Sequence, residues 1–148
     1  MRGALLIHLF FMLLGYALAV AVAASVTVIV IFLPTVLPDN GAWGSAYRTL
    51  QNIVPMLLFG AFYTAIFALP GWLISVVTAE YRNERRKYWF GMAGFLTAIL
   101  AQLIAYAFVG GMGGEPMTLI GSPIGGFAGG LIYWAIAGRH SGAWKAQA

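Results

Sequence analysis

The stretch EYRNERRKYW, residues 80–89, is the one densely charged segment in a chain of 148 residues. Its reading decides the fold. Arg82, Arg85, Arg86 and Lys87 crowd into it, offset by Glu80 and Glu84, and a long apolar run adjoins it on each side. The upstream run covers about residues 53–78 and the downstream run about residues 89–109. Each meets the roughly 20 residues that a bilayer core requires. Two more runs, about 5–37 and 118–137, flank this pair. The sequence therefore predicts a single all-α domain, a bundle of four transmembrane helices, with the charged stretch as the connection between spans two and three.

The basic residues orient this bundle. Arg2 precedes the first run, and Arg139 and Lys145 follow the fourth. With the four in the charged stretch, seven of eight basic residues fall on one side, and only Arg48 falls on the other. Loops retained in the cytoplasm keep Lys and Arg. The expected topology has both termini inside, in a bacterial inner membrane.

Composition supports this class. The chain is 61% hydrophobic and 8% charged, against about 25% charged in a soluble domain. Too few charges remain to cover a water-facing surface. The net charge of +4 follows from the one-sided basic distribution. Nucleic-acid binding would need a basic stripe on a soluble face, and none is found. The absence of cysteine excludes disulfides, thiolate nucleophiles and cysteine-held metal clusters. The N-terminus resembles a signal peptide, with Ala21-Val22-Ala23 as a cleavage-like site. Its apolar run continues to Leu33, far beyond a signal core, so the expectation is an uncleaved first span.

Prolines and glycines punctuate the runs. Pro34 and Pro38 should end the first span. The stretch DNGAWGSAYRT, residues 39–49, reads as a turn, with Trp43 and Tyr47 at the outer interface. Pro55 suits a first helical turn, and Pro70-Gly71 predicts a kink. Residues 110–123 are unusually apolar for a loop and could lie flat or dip into the bundle.

Gly121, Gly125 and Gly129 recur every four residues, with Gly126 and Gly130 beside them. Residues four apart share a helix face, and glycines there allow close backbone approach in lipid. A small-residue row on span three, Ala93, Thr97, Ala101 and Ala105, could match it, as could Gly15, Ala19, Ala23 and Thr27 on span one. The seam could pack the chain on itself, join another subunit or line a pore.

The other candidate sites carry little catalytic signal. Arg82, Arg85, Arg86 and Lys87 could set topology, or touch anionic lipid headgroups or a partner's acidic patch. His8 and His140 both map to the inner end, where interfacial roles are favoured over haem or metal ligation. The assigned spans contain no Asp, Glu, Lys or Arg, unlike ion paths and proton relays. Depth counting places Gln102 near Tyr63 and Thr64, a buried polar cluster suited to interhelical hydrogen bonds or to a small ligand. The phenylalanines should face lipid, with a pigment or quinone site as the alternative. Asp39 and Glu115 occupy different loops, and Ser122 has no histidine base on its side. No catalytic residue, cofactor or metal site is expected. The function expected is a non-catalytic accessory, scaffolding or assembly subunit of a larger membrane complex, partnered by lipids and other membrane subunits or by itself. The alternative is a small oligomeric channel or transporter, with a holin-like pore as a special case.

Overall fold

The computed structural model describes residues 2–36, 43–109 and 116–141. Four helices cover nearly all of them: α1 (Arg2–Val36), α2 (Trp43–Arg82), α3 (Lys87–Val109) and α4 (Pro116–Ile136). A short 3₁₀ turn, Gly138–His140, follows. Each of the four helices is long and apolar enough to cross a membrane, over residues 6–31, 53–82, 87–108 and 118–136. They pack in a ring: α4 lies along α1 and α3, and α2 lies along the same two helices from the opposite side.

The helices are longer than the apolar runs. α2 starts at Trp43, so residues 43–49 are helical where a turn is expected, and Pro55 lies well inside the helix. Helix also continues through Pro70-Gly71 as one assigned element. A proline removes one backbone donor, which a long helix with many other bonds tolerates. α4 begins at Pro116, where the fixed proline φ suits a first helical residue. This shortens the apolar connection expected at 110–123. Residues 110–115, and with them the question of a re-entrant loop, lie outside the described residues, as do Pro38, Asp39, Trp144 and Lys145.

The charged stretch is mostly helical too. Only Asn83 to Arg86 separates α2 from α3. Asn83 adopts a left-handed φ of 52°, and the Glu84 amide donates to the Ala79 carbonyl at 2.9 Å. That pairing is the six-to-one bond of a Schellman cap, with Asn in the position usually taken by Gly. The Trp134 indole N–H donates to the Arg85 carbonyl at 2.7 Å, and Arg85 Nε donates to the Ser141 carbonyl at 3.1 Å. The connection is thereby fastened to the end of α4. Beneath it, Val76, Ala79, Phe90, Tyr133 and Ala137 form the buried core.

Candidate functional site

The glycines of α4 divide between two faces. A Cβ added at Gly125 would lie 2.5 Å from the Ala23 carbonyl oxygen, and one at Gly129 would lie 2.6 Å from that of Ala19. Gly121 meets Val30 at 3.3 Å. These three rest on α1. One residue further round, a Cβ at Gly126 would lie 2.5 Å from the Gly94 carbonyl oxygen of α3, and one at Gly130 would strike the Phe90 carbonyl oxygen. In lipid, such backbone-to-backbone approach replaces hydrophobic burial as the source of packing energy. Both glycine faces are therefore taken up by this chain's own helices. The span-one row pairs with α4 as its spacing suggests. The row on α3 does not: Gly91, Gly94 and Ala98 meet α4, whereas Thr97 meets Gly71 of α2. Ala105 is buried, and Ala93 and Ala101 face the interior space described next.

On the other side of the ring, α2 stands away from its neighbours. No residue between Ile53 and Phe67 is buried among those described. Where α4 presents glycine, α2 contributes the bulky side chains of Phe59, Tyr63, Phe67 and Trp72 to the space between the helices. That space is a cavity of about 600 Å³ lined by all four helices. Small-molecule sites span roughly 300–1,000 Å³ and have mostly apolar walls with a few polar groups. This one fits that description. Among the described residues, none that lines it is Asp, Glu, Lys, Arg or His.

Its wall has an aromatic half and a polar half. Towards the charged connection, Tyr16 and Trp72 lie with ring centres 4.4 Å apart, and Tyr133 meets Trp72 edge-on at 6.1 Å. Towards the other end come Tyr63, Thr64, Gln102, Thr118, Ser122 and Thr27. Gln102, Tyr63 and Thr64, expected as a polar cluster, each line this cavity.

Several of the wall's hydrogen bonds are already committed. Tyr16 donates to the Ala65 carbonyl at 2.5 Å, and Ser75 to the Gly71 carbonyl at 2.8 Å. Thr27 donates to the Ala23 carbonyl at 2.8 Å and reaches that of Gly121 at 3.3 Å, bridging α1 and α4. Gln102 uses one amide N–H on the Thr118 carbonyl at 2.8 Å. Its other N–H and its oxygen remain available. Among the described residues, Tyr63 and Thr64 show no hydrogen bond.

One polar pair escapes the sequence reading, which assigns Glu80 to a loop. Glu80 belongs to α2, within its membrane-compatible stretch, and its side chain is only 14% exposed. It meets His8 Nε2 of α1 at 3.2 Å. Glu80 lies just past the expected end of span two at residue 78, in a helix that continues to Arg82. The contact gives His8 a carboxylate neighbour; the side chain of His140 lies outside the described residues.

The basic cluster spreads out. Arg82, Arg85, Arg86 and Lys87 are all exposed. Arg85 holds Ser141, Arg86 sits 3.7 Å from Glu84, and Lys87 Nζ lies 5.2 Å from the centre of the Tyr88 ring. No group of three or more metal-ligating side chains occurs among the described residues. Comparison of the chain with protein-family models, curated proteins and solved structures finds no match.

Proposed function

We propose that this chain is a non-catalytic membrane protein whose bundle holds one lipophilic molecule between α2 and the α1–α4–α3 wall. The observation that carries this reading is the cavity of about 600 Å³ to which every helix contributes. Its apolar, aromatic lining suits binding. The absence of charged side chains from the described lining is unlike the usual ion path, which favours binding over a channel. General acid–base chemistry needs a positioned proton carrier, and among the described residues no carboxylate or imidazole lines the space. The one-sided basic residues support a topology with both termini in the cytoplasm, in an inner membrane.

The test is to purify the protein in nanodiscs and compare its extractable lipids with those of the surrounding membrane. Gly60 supplies the control. It lines the cavity, and a Cβ there meets nothing within 4 Å, so the side chain of Gly60→Phe starts in open space and should occupy part of the cavity. One lipophile should be enriched in the native protein and lost from this variant. Identical lipid profiles in both would sink the reading.

A second reading is an accessory subunit of a larger membrane complex. It is favoured by α2, whose most apolar window has 0% of its residues buried against 22–28% in the other three helices, and whose outward face shows Leu58, Phe62, Ile66 and Ile74. The glycine seam is a poor place to test it, because Gly125→Leu would drive α1 and α4 apart. Ile66→Trp adds bulk outside instead. Loss of co-purifying membrane proteins at unchanged thermal stability would support docking there, and unchanged co-purification would oppose it.

A further inference from the structure

Resting on the reading of the cavity as a binding site, we infer that its occupant is an uncharged lipid with a hydroxyl or carbonyl head group. Three observations carry this. First, among the described residues no lining side chain bears a formal charge. An ionised head group drawn between the helices would find no counter-charge among them, and unpaired burial of charge is far costlier than burial of a neutral oxygen. Phosphate, carboxylate and ammonium head groups are thereby disfavoured. Second, the wall is not uniformly apolar. Tyr63 and Thr64 carry uncommitted hydroxyls, and Gln102 keeps part of its amide free after bonding to Thr118. Purely hydrocarbon contents would leave these groups unsatisfied. Each hydroxyl both donates and accepts, as does the amide, so a carbonyl or a hydroxyl can be met.

Third, the uncommitted polar groups are concentrated at one end. The opposite half of the cavity is built from Tyr16, Trp72, Phe90, Tyr133 and Val76, a surface mainly for a chain or ring. Its hydroxyls at Tyr16 and Ser75 already donate to backbone carbonyls; its other polar groups are the Tyr133 hydroxyl and the Trp72 indole N–H, which is buried without a partner among the described residues. Tyr63, Thr64 and Gln102 form the larger set, so the head group is placed beside them, with the apolar body directed towards Trp72.

The experiment uses the full chain in nanodiscs and four probes of equal chain length: octadecanol, a C18 methyl ketone, octadecane and stearate. Binding is followed by native mass spectrometry at about pH 9, where the carboxylate is ionised. The alcohol or the ketone should bind about tenfold more tightly than octadecane, the scale of one or two net hydrogen bonds. Stearate should bind more weakly than either. The ranking of alcohol against ketone identifies the head group. In the isosteric double variant Tyr63→Phe/Thr64→Val, the preference over octadecane should shrink several-fold while octadecane binding persists. Adding Gln102→Leu should shrink it further, and the double variant suffices if that third change impairs folding.

Stearate binding as tightly as the alcohol would overturn the inference, as would a preference unaltered by the double variant. Failure of the cavity reading looks different: all four probes would bind Gly60→Phe as well as the native chain.

Discussion

α4 and the outer half of α2 are both apolar helices, yet they pack in opposite ways. α4 buries Gly121, Pro123, Gly125, Gly129 and Tyr133 and touches the backbones of two neighbours. α2 buries nothing from Ile53 to Phe67 and leaves a cavity behind it. Both helices are apolar enough for lipid, so apolarity does not separate them; side-chain size on the inward face does. In lipid, moving an apolar surface from tails to protein gains little, so van der Waals fit governs association. Glycine gives fit at short range. Phe59, Tyr63 and Phe67, which follow one another along α2 with ring centres 6.3 and 4.5 Å apart, line the space between the helices instead.

Two glycines test this contrast most directly. Gly130→Ala places a methyl against the Phe90 carbonyl oxygen, so it should destabilise the bundle by about 1–3 kcal/mol, the range for overpacking. Thermal or detergent unfolding would measure it, and a neutral result would mean that α4 is not held by backbone approach. Gly60→Leu should have the opposite sign. It fills open space on α2 and improves helix propensity by about 1 kcal/mol. A loss of stability there would mean that α2 packs against its neighbours as tightly as α4 does.

The polar ties refine the same comparison. α2 is tied to α1 by the hydrogen bond between His8 and Glu80, and a double-mutant cycle on that pair should give a coupling of about 1 kcal/mol, the net scale of one hydrogen bond. α4 is tied to α1 by Thr27. Thr27→Val should cost only about 0.6 kcal/mol, because close packing persists without the bond. If the Thr27 change proved larger than the coupling, polar ties would matter more on the tight side of the ring than on the loose one.

Much of the architecture is legible in the sequence. Apolar length marks four helices, and the four-residue glycine spacing marks close contact. The spacing does not say which helices meet, since both α1 and α3 offer small-residue rows. The structure uses two faces, one for each, with Thr97 turned instead to Gly71. Helix ends depart from the apolar boundaries where polar residues continue a helix beyond them, at Trp43 to Asn52 and at Glu80 to Arg82. Depth counting puts Gln102, Tyr63 and Thr64 at a similar level, and each of them lines the cavity. The cavity itself is not legible there, because a cavity is a mismatch between surfaces that no single helix records.

The double glycine row of α4 also constrains how this chain can change over time. Side chains that face lipid can be exchanged for one another at little cost, so most of the sequence is free to drift. Positions opposite the backbones of Ala19, Ala23, Phe90 and Gly94 admit no heavier atom. Descendants of a common ancestor would therefore diverge almost everywhere except in the spacing Gly-x-x-x-Gly-Gly-x-x-Gly-Gly of residues 121–130. Kinship in such a lineage would be written in its smallest residues.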